Sequence, residues 1–174
     1  MTVLRYLQEH KGHFRITSHR PAYTAEQLAR LEHVNRQHVA KCVVVKADDY
    51  YYLCVLPADR KVDLNALQRP LKAATVSLAG ESEMARLFED SEIGAEAPFG
   101  GLYDLPTLMD ASLRKAEEIV FPADSHETSI HMLMDEYLRL ACPRILYFSF
   151  PSDPPEPTRW IDPDDFLFDP YIFF

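Results

Sequence analysis

The sequence predicts an α+β domain with a mixed, mostly antiparallel sheet flanked by short helices, and three observations carry that prediction. Short amphipathic segments alternate with short β-rich ones, without the regular strand-helix beat of a doubly wound sheet. Residues 41–47 (Lys-Cys-Val-Val-Val-Lys-Ala) and 50–56 (Tyr-Tyr-Tyr-Leu-Cys-Val-Leu) flank Asp48-Asp49, the pattern of a hairpin. With 174 residues, 47% of them hydrophobic, the chain can bury a core without disulfides. The expected organisation is one domain over residues 1–150 and an extension over residues 151–174.

The elements follow in order. Val3, Leu4 and Leu7 share one face of a helix over residues 3–10, which Gly12 stops; residues 14–18 are extended. Thr24 followed by Gln27 resembles a capping box and opens a second helix, with Leu28 and Leu31 on its apolar stripe. After the hairpin, Asp63 opens a helix through residue 71, residues 75–78 form a strand, and Ser82 and Glu83 start a helix over residues 82–88. Residues 94–106 hold three of the five glycines and read as a loop. Strands are expected at residues 107–109 and 118–121, a helix at 134–141 ending before Pro143, and a last strand at 145–150.

Charge and cysteines exclude several classes. Eighteen Lys and Arg against 27 Asp and Glu give a net charge of −9, which argues against a protein that coats nucleic acid by neutralising phosphates. Three cysteines without C-x-x-C spacing indicate a reducing compartment and no zinc site, and no apolar run reaches the roughly 18 residues of a membrane helix. A cytoplasmic protein is expected. The extension carries six acids against Arg159 alone, a net of −5, with Trp160, Phe166, Phe168, Tyr171, Phe173 and Phe174 among its prolines. Rings in that number are expected to bury on the domain's own surface or in self-association with a second copy.

Three features could carry chemistry. Lys46 ends the run Val43-Val44-Val45, and a two-residue turn would pair it with Tyr51 and put Val44, Lys46, Tyr51 and Leu53 on one sheet face. It either snorkels to water or aims its ammonium into a pocket. Residues 94–101, Gly-Ala-Glu-Ala-Pro-Phe-Gly-Gly, are an ordinary connection or a loop offering amide donors to an oxyanion. Ser125-His126 sits in a turn-like stretch near Glu127 and His131; it lacks the elbow glycines of a serine hydrolase, and a metal held by His126, His131 and a carboxylate has no recognised spacing behind it.

In this order the features resemble the YbaK-like aminoacyl-tRNA deacylases, the family that includes the editing domain of bacterial prolyl-tRNA synthetase. The resemblance runs from about Tyr23 to Leu140. It rests on Ala-Tyr-Thr-Ala-Glu at 22–26, Val-Ala-Lys-Cys-Val-Val-Val-Lys-Ala at 39–47 and Leu-Cys-Val-Leu-Pro-Ala at 53–58. It continues through the G-x-x-x-P loop from Gly94 to Pro98, Leu-Met-Asp at 108–110, and Glu-Glu-Ile-Val-Phe at 117–121 leading to Ser125-His126.

That resemblance implies hydrolysis of the ester joining a wrong, small amino acid to a transfer RNA, acting on the aminoacyl-tRNA acceptor end without metal or other cofactor. It places Lys46 and His126 as catalytic residues, and Gly94, Pro98, Phe99, Gly100, Gly101 and Asp110 around the substrate. Two positions depart from the family pattern: Ala47 stands where some relatives have asparagine, and Pro122-Ala123-Asp124-Ser125-His126 stands where many read Asn-Ala-Gly-Thr-His. A noncatalytic module of the same fold, binding a nucleotide, an RNA end or a protein, is the alternative; hydrolysis of another small ester or thioester is a third reading.

Overall fold

The computed structural model describes residues 1–153. Its centre is the hairpin of β2 (Ala40–Ala47) and β3 (Tyr50–Pro57), with the register set by the turn: Ala47 faces Tyr50, Lys46 faces Tyr51 and Val44 faces Leu53. Asp48 takes a left-handed conformation, φ 52°, as a tight two-residue hairpin turn requires. Its carboxylate accepts the N–H groups of Ala74 and Thr75 and thereby seats β5 (Val76–Leu78) antiparallel to β2.

Parallel pairing adds β6 (Thr107–Asp110) beside β3 and β9 (Arg144–Leu146) beside β6, giving a five-stranded sheet in the order β5-β2-β3-β6-β9. A three-stranded antiparallel sheet orders β1 (Arg15–Ser18), β8 (Thr128–Leu133) and β7 (Glu118–Pro122), and β4 (Arg60–Val62) pairs with β10 (Ser149–Pro151). The fold is thus the mixed, mostly antiparallel α+β arrangement expected. Within it the single strand expected at residues 145–150 divides into β9 and β10, because Phe148 breaks away: it is buried, and its N–H is taken by the Asp110 carboxylate at 2.8 Å.

Helix α1 (Val3–Glu9) buries Val3 and Leu7 with Phe99, Phe121 and Tyr137 in the main core between the two larger sheets. The opposite face of the five-stranded sheet, with Val45, Cys54, Leu56 and Leu108, is covered by Leu67 of α3 (Leu64–Leu71), a helix capped by Asp63. Helix α4 (Glu81–Leu87) starts from Gly80, whose N–H is accepted by Glu83, so the helix begins one residue before the expected Ser82. Helix α5 (Met134–Ala141) occupies the span expected.

Helix α2 (Ala25–Leu31) borders a cavity. Thr24 caps the helix by accepting the Gln27 N–H, while Gln27 Oε1 accepts the Tyr23 N–H, one residue before the N–H donor a capping box would use. Leu28 and Ala29 pack on Ala22, Val39, Ala58 and Val120. This small second cluster ties α2 and the segment before it to the start of β2 and the end of β7, and a cavity lies at that junction.

Candidate functional site

The cavity, about 180 Å³, has three walls. Ala22, Thr24 and Leu28 form one, Lys41 and Cys42 at the start of β2 a second, and Gly94, Glu96 and His126 the third. It is smaller than the several hundred Å³ typical of a drug-sized ligand, which suits a short acyl group better than a nucleoside.

Lys41 puts a cation in the wall. Its ammonium donates to the Ala58 carbonyl at 3.3 Å, and burial pushes its pKa below the ordinary lysine value, opposed by the charges of Glu26 and Asp59. His126 Nδ1 lies 3.0 Å from the Ala22 carbonyl, an acceptor, so Nδ1 carries a ring proton, while Nε2 stands 3.8 Å from the Glu92 carboxylate, beyond hydrogen-bond distance, and is open to a ligand. The Tyr23 ring packs on the imidazole at 4.9 Å between centroids, and His126 N–H is accepted by Glu92 at 2.7 Å. Gly94 is the loop glycine in a left-handed conformation, φ 89°, and a Cβ there would stand 3.6 Å from His126 Cε1.

A protein nucleophile is not prepared here. Cys42 lines the cavity, yet burial pushes its thiol well above the ordinary value and its Sγ donates to the Glu96 carbonyl at 3.4 Å. Ser125 Oγ accepts the Glu127 N–H, and His126 is turned to Ala22. Among the described residues no group of three or more His, Cys, Asp or Glu is placed to hold a metal ion. His131 stands apart from His126, between Glu32 at 3.0 Å and Glu118 at 3.2 Å.

The residues singled out from sequence therefore separate. Gly94 and His126 meet at the cavity. Lys46 does not line it: five residues from Lys41 on one strand, it is roughly 16 Å further along, at the turn end. Its ammonium lies 3.5 Å from Glu83 of α4 and over the Tyr51 ring, and Tyr51 Oη donates to the same carboxylate. Lys41 is the residue that sequence reasoning passed over; the signal was a lysine set between Ala40 and Cys42 at the strand end remote from the turn, where water is harder to reach.

Much of the loop is spent on structure. Gly94 N–H goes to Glu96 at 2.8 Å, Ala97 N–H to Tyr103 Oη, and Gly100 N–H to Thr107 Oγ1 at 2.8 Å. Phe99 is fully buried among Tyr6, Phe121 and Tyr137, and the Pro98 carbonyl accepts the Tyr137 hydroxyl. Gly100 is required by crowding, since a Cβ would stand 2.2 Å from the Leu105 carbonyl oxygen, whereas a Cβ on Gly101 would stand 3.2 Å from the Tyr6 hydroxyl. Asp110, 2% exposed, clips Ser112 and Phe148; burial raises its carboxyl, but those hydrogen bonds bring it below the ordinary range. Asp124 occupies a left-handed position, φ 62°, and its carboxylate accepts from Val3 N–H at 2.6 Å and from the Ser91 hydroxyl, leaving the cavity open. The aromatic extension falls outside the described residues.

These features define a class: a small α+β domain whose cavity is bounded by a half-buried lysine, a histidine and a glycine-bearing loop. The family model for the aminoacyl-tRNA editing domain matches residues 19–140, a span that contains all three walls. The chain belongs to that family.

Prolyl-tRNA editing protein ProX of Acetoanaerobium sticklandii is 29% identical over 104 residues, covering 59% of this chain and 63% of that protein. Among solved structures, hypothetical protein APE2540 superposes with a TM-score of 0.78 at 17% identity, covering 85% of this chain and 99% of its own. A candidate trans-editing enzyme for prolyl tRNA synthetase superposes at 0.76 and 20% identity, covering 85% and 94%. These two likenesses concern the fold.

Proposed function

We propose that this protein hydrolyses, in trans, the ester linking a small, wrongly attached amino acid to the 3′ end of a transfer RNA. The observation that carries the reading is the cavity itself, acyl-sized and bounded by Lys41, His126 and Gly94 in a chain of the aminoacyl-tRNA editing family. The ester carbonyl lies toward Lys41, whose cation stabilises charge developing on the oxygen. His126 Nε2 takes a proton from water, directly or through the neighbouring ribose hydroxyl, as the water oxygen bonds the ester carbon. It returns that proton to the ribose oxygen as the acyl C–O bond breaks, with Nδ1–H fixed on Ala22. Holding ester and water together in a small enclosure supplies the remaining advantage, so the reaction needs neither a covalent intermediate nor a metal.

In this reading Lys41 takes the role that the sequence suggested for Lys46. Gly94 borders the substrate, while Pro98, Phe99, Gly100, Gly101 and Asp110 hold the loop and strand that shape the site. The partner is the acceptor end of an aminoacyl-tRNA, and a cytoplasmic setting follows from it. The described residues contain no helix long and apolar enough to cross a membrane.

Single-turnover deacylation across transfer RNAs charged with alanine, serine, cysteine and bulkier residues tests the proposal. Hydrolysis confined to the small residues is expected. A folded wild-type protein inert on the whole panel would favour the noncatalytic binding module.

A further inference from the structure

Glu96 is an unusual residue to find in this wall. It is 4% exposed, it lines the cavity, and it is the one carboxylate among the described residues that do so. Lys41, His19 and His126 line the same space, so the polar side chains facing an incoming group are otherwise cationic or neutral. One carboxylate oxygen accepts Gly94 N–H at 2.8 Å, and the Glu96 carbonyl is held by Cys42, which fixes the side chain's origin on both sides. A second carboxylate oxygen has further lone pairs to offer.

An aminoacyl ester differs from an ordinary ester in carrying an ammonium next to the carbonyl. Bringing that ammonium into a small enclosure beside the Lys41 cation costs like-charge repulsion and desolvation unless an anion meets it. We propose that Glu96 is a specificity-determining residue whose carboxylate receives an ammonium group of the substrate and so selects aminoacyl esters over acyl esters that lack one. The inference rests on the reading of the cavity as an aminoacyl-ester site and adds the group that recognises the amine. Burial pushes this carboxyl above its ordinary value, against the opposing N–H groups of Gly94 and Glu96 and the charge of His126, and an ammonium placed against it works in the opposite direction.

Two sources can supply the ammonium, the α-amino group of any aminoacyl ester or a basic side chain, and three substrates on one transfer RNA distinguish them. Alanyl ester carries only the α-ammonium, N-acetyl-alanyl ester carries none, and N-acetyl-lysyl ester carries only the side-chain one. kcat/KM is measured for wild type and Glu96→Gln with all three, using the full chain and circular dichroism as the folding control.

For an α-ammonium contact, wild type prefers alanyl over N-acetyl-alanyl ester by at least tenfold and the ratio falls toward one in Glu96→Gln. For a side-chain contact the same behaviour appears between N-acetyl-lysyl and N-acetyl-alanyl esters. If Glu96→Gln lowers all three rates by one factor, or changes none, the proposal is overturned and Glu96 only braces the loop. Should the variant not fold, the wild-type ratios decide, and equal rates on all three esters overturn it. Failure of the functional reading looks different: wild type then hydrolyses none of the three, and calorimetry with the amide analogue 3′-alanylamino-adenosine shows no binding, which overturns both.

Discussion

Lys41 and Lys46 stand on one strand, five residues apart, and their surroundings differ in almost every respect. Lys46 is beside the hairpin turn, over the Tyr51 ring and against Glu83, and the electrostatic pull of Tyr51 first and of Glu83 second raises its pKa. Lys41 is at the other end, walled by a helix and two loops, bonded to a main-chain carbonyl, with its pKa lowered by burial. A lysine with a counter-ion and water at hand has its charge satisfied before any substrate arrives. One bonded to a main-chain carbonyl, with Glu26 and Asp59 acting on it only through space and no carboxylate in direct contact, has charge left to give, which is the condition for electrostatic catalysis.

The comparison can be broken at several points. The largest effect is expected from Lys41→Ala, with kcat/KM falling about 10²–10³-fold, the loss of one preorganised donor. Lys46→Ala should stay within about threefold of wild type, since its deletion leaves the cavity wall intact. His126→Ala should fall next, by about 10²-fold, in the range of a lost general base. A loss in Lys46→Ala that equals the loss in Lys41→Ala would erase the distinction between the two ends.

Smaller effects sharpen the view of the loop. Gly100→Val forces a side chain onto the Leu105 carbonyl and should destabilise by about 1–3 kcal/mol or more in chemical denaturation, an overpacking cost. Gly101→Val meets only the Tyr6 hydroxyl, which can move, and should cost less. Gly94→Ala has space but the wrong φ, so a strain of about 1–2 kcal/mol is expected together with reduced activity, because the added methyl lies beside His126.

The smallest effect lies away from the site, at Glu136, whose carboxyl is pulled down to about 2 by Arg139 and the His13 N–H. A folded value below the unfolded one stabilises above the unfolded value and is lost as pH falls toward the folded one. Glu136→Gln should therefore lower the melting temperature at pH 7 by an amount corresponding to at most about 1 kcal/mol, as for an exposed pair, and the gap to wild type should close between about pH 4.5 and 2.

What could be read from the sequence was local. The β2–β3 hairpin was legible to the register because two acids between two β-branched and aromatic runs mark a two-residue turn, which determines the pairing. Strand β8 was not foreseen: Thr-Ser-Ile-His-Met-Leu has little alternation, and it is a strand because β1, over a hundred residues earlier, and β7 supply partners on both sides. The site shows the same limit. His126 and Gly94 were legible as a histidine in a turn and a glycine before a proline. The choice between two lysines depended on residues 22, 58, 96 and 126 converging on one end of the strand, a tertiary fact. Glu96 passed unremarked for the same reason, since an acid in a loop is ordinary until the loop is known to be buried.

The central claim, that the substrate's aminoacyl end sits between Lys41, Gly94 and His126, is tested most directly by titrating the isotopically labelled chain with 3′-alanylamino-adenosine and following backbone amide shifts. The account predicts the largest shifts at Lys41, Cys42, Gly94, Glu96 and His126, with Lys46, Ser77 and Asp110 unmoved. Shifts centred on Lys46 and Glu83, with residues 41, 94 and 126 silent, would contradict it.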